Sequence, residues 1–251
     1  ALAVIDIPND YIPRYESNDA EASRTGTVVT AVNAFKDRGL NSSYGCAFYP
    51  WVQVRDSASE TVPGKLVWLP PSVAALGTFS STQRNAELWF APAGFSRGAL
   101  KSVSEVKTKL NEDNIQDLNN AKINPIQTFP NSGPVVFGQR TLQQAASALD
   151  RVNVRRLLID IRRAVRQAAN QILFEPNREA TLARLSARVR PILQNVQQNA
   201  GIDRFKVIID ASTTSQADVE NNVVRGKIFI QPTRTAEFIS LDFVVTNAGV
   251  E

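Results

Sequence analysis

The chain has 251 residues, 43% apolar and 21% charged, with a net charge of +4 and an isoelectric point near 9.4, the make-up of a globular protein able to bury a core. It has no histidine, no methionine and one cysteine, Cys46, which removes the usual general base, the commonest metal ligand, any internal disulfide and every multi-cysteine zinc site. No apolar run of about 18 residues could cross a bilayer as a helix, the opening ALAVIDIPND lacks the features of a secretory signal, and the missing methionine predicts a processed or partial chain.

Residues 2–7, LAVIDI, read as a buried strand ending in a turn at Pro8, Asn9 and Asp10, and a strand so early predicts that the chain begins inside a domain. Asp19 to about Phe35 reads as a helix, weakened by Gly26 and the β-branched run TVVT and stopped by Gly39. SYGCAFYPWVQVRD predicts an aromatic strand broken at Pro50, and PGKLVWLPPS a second strand antiparallel to it across the polar loop DSASETVPG. Residues 72–100, rich in small and aromatic side chains, read as structured loop with one helical turn. Asn111 caps a short helix over EDNIQDLNNAKI, with Ile115 and Leu118 inward and Glu112 and Asp113 suiting its positive end. INPIQTFPNSGPVVFGQRTL is strand-like, with bends at its prolines and glycines.

The clearest element is a helix from about Asp150 to Phe174, with Val154, Leu157, Leu158, Ile161, Val165, Ala168, Ala169 and Ile172 on one stripe. Its other face carries Arg155, Arg156, Arg162, Arg163 and Arg166, relieved only by Asp160. After FEPN, Asn177 is expected to cap a second helix, Pro191 to kink or divide it, and Gly201 to close it. RFKVIID, VVRGKIFIQP and AEFISLDFVV then supply three strands, with ASTTSQADVENN as a polar connection. The fold class is α/β in the α+β sense, ending in a helical hairpin packed on a small, mostly antiparallel sheet. In the last strand Phe238, Ser240, Asp242 and Val244 alternate with Ile239, Leu241, Phe243 and Val245. Such a strand pairs with its own sheet or completes another's.

Catalytic and metal constellations are sought without success. Cys46, between Gly45 and Ala47 in an aromatic strand, reads as a buried inert thiol. The glycines from Gly94 to Gly98 and from Gly133 to Gly138 lack the partners of a phosphate loop. Asp210, Asp218 and Glu220 read as solvated loop carboxylates rather than cation ligands, and Asp6 and Asp10 as turn residues. No active site, metal or cofactor is expected. The five arginines remain, either solvated and internally paired, or turned to an acidic protein or a nucleic acid backbone. Aromatics and lysines are not interleaved with them, which counts against nucleic acid.

Ordered phrases across the chain resemble the tail sheath proteins of contractile bacteriophages and related injection systems. YPWVQVRD at 49–56, GKLVWLPPSVAALG at 64–77, WFAPAGFSRGAL at 89–100, INPIQTFPNSGPVVFGQRTL at 123–142 and, most specifically, RVNVRRLLIDIRRAVRQAANQILFEPN at 151–177 are similar to family segments in family order. FGQRTL departs from the commoner tryptophan-glycine-alanine wording, and the family's N-terminal region has no counterpart here. The resemblance implies a protruding α/β domain with its return over 1–142 and a conserved inner domain over 143–251. It implies a non-enzymatic structural subunit that polymerises helically with other sheath subunits around a tail tube, contacts baseplate and tail terminator proteins, and contracts to drive the tube through the host envelope. No membrane span and no direct nucleic acid contact are implied. Its place is the virion tail, after assembly in the host cytoplasm. Residues 238–245 match the position of a terminal arm donated to a neighbour, and Arg155, Arg156, Arg162, Arg163 and Arg166 are candidates for tube-facing or intersubunit charge. A nucleic-acid-binding protein using the arginine-rich helix is the alternative reading.

Overall fold

A computed structural model of the protein describes residues 1–7, 28–56 and 64–237. The turn at Pro8–Asp10, the start of the helix expected from Asp19, most of the loop DSASETVPG and the strand 238–245 lie outside the described residues. In chain order the first elements are β1 (Ala3–Asp6), α1 (Val28–Lys36), β2 (Gly45–Tyr49), β3 (Val52–Asp56), β4 (Lys65–Leu69), α2 (Pro71–Asn85) and α3 (Gly94–Arg97). Then come β5 (Val103–Val106), α4 (Glu112–Asn120), β6 (Ile123–Phe129), β7 (Gly133–Val136), α5 (Val152–Asn170), α6 (Glu179–Gln198), β8 (Ile202–Ile208), α7 (Gln216–Glu220) and β9 (Lys227–Pro232).

A mixed sheet in the order β1-β2-β6-β7 is parallel across its first three strands and closed by the antiparallel β6–β7 hairpin. Every residue of β2, GCAFY, is buried, as a parallel strand covered on both faces requires. On one face α1 buries Val28, Val32 and Phe35 with Leu118 of α4 against Tyr49 and Ile123. On the other, α2 buries Ala74, Ala75 and Phe79 against Phe48 and Ile126. A second, antiparallel sheet has the order β4-β3-β5. The aromatic run expected as one broken strand therefore divides at Pro50 between two sheets, while its antiparallel pairing with β4 is as expected.

The expectation of loop over 72–100 is overturned by the 15-residue α2. Its buried stripe consists largely of Ala74, Ala75, Thr78 and Thr82, too weakly apolar to announce a period. Its start is fixed by Pro71 and by a distant cap, since Asp6 accepts from Ser72 N at 3.0 Å and from Ser72 Oγ at 2.7 Å. The Asn111 cap appears as expected, with Oδ1 accepting from Asn114 N at 2.8 Å.

Toward the carboxyl end, α5 and α6 form an antiparallel hairpin on the β8–β9 ribbon, enclosing Leu157, Ile161, Leu185, Val189, Leu193 and Ile202. Local expectations are only partly met here: α6 is not divided at Pro191, Asn177 is not its cap, and Gly201 closes it through its N–H rather than as the left-handed residue. Pro191 sits inside a continuous α6, where Ala187, whose carbonyl loses its bond, is exposed to water while Leu185, Val189 and Leu193 pack both halves. Asn177 caps nothing and instead donates to Val223 O at 3.2 Å. The left-handed residue ending α6 is Ala200, with φ 57, followed by a bond from Gly201 N to Val196 O at 2.8 Å. Gly201 answers a close approach, because a Cβ there would lie 2.6 Å from Val196 Cγ1 and 3.0 Å from the Trp89 ring. The polar connection contains the short α7, held by a Ser215–Asp218 capping box.

Candidate interaction surface

The helical wheel of α5 places five arginines opposite its apolar stripe, but its surroundings divide them. At the start of the helix, the loop before β2 and helix α2 close over Arg155 and Arg156. Arg155 is 6% exposed, and its guanidinium lies 4.0 Å above the Tyr44 ring and donates to Ser43 Oγ. Arg156 lies 4.9 Å above the Phe79 ring and donates to Phe79 O at 3.2 Å. Burial lowers the Arg156 pKa from its ordinary value, with nearby Cys46 partly opposing. Both residues fasten α5 to the rest of the chain, each stacking contact worth about 0.5–2 kcal/mol. They are therefore not part of an open charged face within the chain, and the alternative nucleic acid reading loses two of its five cations.

Arg162, Arg163 and Arg166 are exposed. Arg162 reaches Tyr44 Oη at 3.5 Å, and Arg163 pairs with Asp160 at 2.8 Å across one turn. Such a solvated pair contributes only about 0.3–0.5 kcal/mol, leaving the guanidinium free to exchange partners. No hydrogen bond or ion pair holds Arg166 among the described residues. This face is a shallow basic surface, able to bind carboxylates reversibly.

A second feature escaped the reading of the sequence. After β9 the chain runs across the body with every other side chain fastened. Thr233 Oγ1 donates to Asp203 Oδ1 at 2.8 Å, and Asn153 Nδ2 to Thr235 Oγ1 at 3.2 Å. Arg151 donates through Nε at 2.7 Å and Nη2 at 2.8 Å to the two oxygens of Glu237, which also accepts from Gln139 at 3.2 Å. The alternation Thr-x-Thr-x-Glu was its only signal. It fastens the chain up to Glu237, the last of the described residues.

The other candidate groups have structural uses. Cys46 is buried, and burial pushes its thiol up to about 12, far from a reactive thiolate. Asp210 accepts from Ser212, Asp218 from Arg225 and Ser215, and Glu220 from Gln216. No group of three or more potential metal ligands occurs among the described residues. Gly133, with φ 67, makes the β6–β7 turn, and Gly94 to Gly98 span the single turn of α3. No described helix is long and apolar enough to cross a membrane.

Residues 144–246 match the family described as phage tail sheath C-terminal domain. The tail sheath protein of Vibrio phage KVP40 is 32% identical over 184 residues, covering 73% of this chain and 27% of that protein. Among solved structures, the baseplate of the anti-feeding prophage in its contracted state gives a TM-score of 0.77 at 25% identity, covering 98% of this chain and 65% of that one. The contracted sheath complex of the extracellular contractile injection system PVC gives 0.75 at 25% identity, covering 88% and 61%. The chain spans between 27% and 33% of the length of the curated relatives it matches. The family likeness carried by the quoted phrases is thus borne out, as is the α+β fold class.

Proposed function

Because residues 144–246 match the phage tail sheath C-terminal domain family, we propose that the chain works as a structural subunit of a contractile tail sheath. Its activity is assembly and not turnover. Repeated heterologous contacts that do not close would build an open helix around a tail tube. Contraction would then drive the tube through the host envelope by a change of packing between subunits, without nucleotide. The observation that carries this reading is the similarity to sheath proteins over most of the chain's length in both sequence and fold.

In this scheme residues 143–251 act as the inner domain, and residues 1–142 as a protruding α/β domain whose return runs through Trp89 into the α5–α6 core. Phe238 to Val245 act as a strand added to a neighbour's sheet, where each main-chain hydrogen bond contributes about 0.5–1.5 kcal/mol. The fastening of Thr233, Thr235 and Glu237 supports this, since it gives such an arm a fixed root. Arg162, Arg163 and Arg166 supply tube-facing or intersubunit charge, individually weak and therefore releasable. Further partners are baseplate and tail terminator proteins, and the place of action is the virion tail after assembly in the host cytoplasm.

Electron microscopy of the protein produced with its tail tube protein tests the reading. Long hollow helical polymers are expected, and they should disappear when residues 238–251 are removed. Failure of the intact protein to polymerise on tubes would overturn the function. Ordered polymers from the shortened protein would overturn the donated strand alone.

A further inference from the structure

Residues 233–237, which follow β9, are held to the body through side chains almost alone. Thr233 N donates to Gly201 O at 3.3 Å, and from Arg234 to Glu237 no main-chain hydrogen bond follows among the described residues. The holding contacts are polar: Thr233 to Asp203, Thr235 to Asn153, and the Glu237 carboxylate to Arg151 and Gln139. None of the three apolar cores contains a residue of this strap. A cavity of about 190 Å³ lies between strap and body instead, lined by Trp89, Leu157 and Gly201 of the body and by Thr233, Arg234 and Thr235 of the strap. The receiving side is complete without it. Gln139 and Arg151 stand on a short main-chain bridge, where Val152 N donates to Gln139 O at 2.8 Å and Thr141 N to Asp150 O at 2.9 Å, and Asp150 holds Arg151 Nη1 at 2.9 Å. Releasing the strap therefore withdraws no side chain from an apolar core and breaks no strand or helix.

We propose that residues 233–237 form a strap that detaches from the folded body as one unit, hinged at Pro232, with the Arg151–Glu237 fork as its catch. Local opening of a segment costs far less than global unfolding where its contacts are few and polar. The fork is the strongest of those contacts, because both partners are charged and the geometry is bidentate. Docked, the strap holds Glu237 at one point of the body; released, its five residues sweep a radius of about 17 Å around Pro232. On the sheath reading, upon which this use alone rests, the catch yields when contraction pulls on the chain beyond it. The freed length then keeps neighbours joined while the bodies turn.

A nitroxide attached through A236C reads the strap directly, since Ala236 is exposed and the native Cys46 is buried. With the fork intact the spectrum should show a slow component. E237Q and R151Q, each added to A236C, should raise the ratio of released to docked strap about tenfold or more and bring up a fast component, while the urea midpoint of the body stays where it was. R151E combined with E237R should restore the slow component, because it rebuilds the charges of the fork in reverse. A mainly fast spectrum with the fork intact, an E237Q spectrum identical to it, or a fast component that rises only in step with unfolding of the body would each overturn the strap. The same label in polymers on tail tubes should turn from slow to fast on contraction. A label that stays slow in both states would overturn the use and leave the strap standing, whereas failure of the protein to polymerise at all would overturn the sheath reading and the use together.

Discussion

Trp89 joins the segment after α2 to the carboxyl-terminal core, and its removal gives the sharpest test of how the chain is held together. Its ring is buried among Leu157, Leu193 and Val196, its Nε1 donates to Asn199 O at 2.9 Å, and its own carbonyl accepts from Asn153 Nδ2 at 3.2 Å. Truncation to alanine leaves a large cavity at a site closed by Gly201, and should cost about 3–5 kcal/mol. W89F keeps most of the packing but orphans one of the carbonyls at the end of α6, for about 1–3 kcal/mol. Against a total stability of about 5–15 kcal/mol, the first is a large fraction and the second a measurable shift. Urea unfolding followed by far-ultraviolet circular dichroism separates them, with fluorescence of the remaining Trp51 and Trp68 as a second probe. If W89F lies within about 0.3 kcal/mol of wild type and W89A within about 1 kcal/mol, well below the usual cost of deleting a core aromatic, the linkage through Trp89 is wrong.

D6A should lower stability by about 1–2 kcal/mol, because α2 loses both bonds at its positive end, with D6N intermediate; equal urea midpoints for D6A and wild type would show that α2 needs no cap from β1. Hydrogen bonds from Arg225 and then Ser215 hold the Asp218 carboxyl down at about 2, against an ordinary 3.8. Because the folded value is the lower one, the stabilisation is present above about pH 4 and is lost as pH falls toward 2. Hydrogen exchange across residues 215–225 should therefore accelerate over that interval in wild type, and D218N should flatten the response. Cys46 should react with a thiol reagent at pH 8 only as fast as the protein opens, since its thiol titrates near 12; immediate labelling of native protein would contradict the buried position.

The long periodic elements were legible because their signals are redundant. In α5 and α6 the apolar stripe recurs over several turns, and β8 and β9 carry their own apolar runs, so one misread cap at Asn177 or one proline at 191 changed no element. The helix α2 was illegible for the opposite reason: its buried face is alanine and threonine, and its cap comes from Asp6, 66 residues away along the chain. The arginine face was half legible. A helical wheel shows which residues share a side, but not that Tyr44 and Phe79 cover the first two of them. The bidentate Arg151–Glu237 contact spans 86 residues and leaves no local trace.

One helix belongs to both packed masses of the chain. Val152 lies in the core beneath α2, and Leu157 and Ile161, within the next turns, lie in the core beneath α6. Sliding one mass past the other would break the main-chain ladder of α5 itself, so the helix behaves as a splint. A torque applied at the hairpin has a continuous path to the mixed sheet through α5. An assembly that converts axial shortening into rotation would then turn its building blocks whole, with the compliance confined to the joints between them.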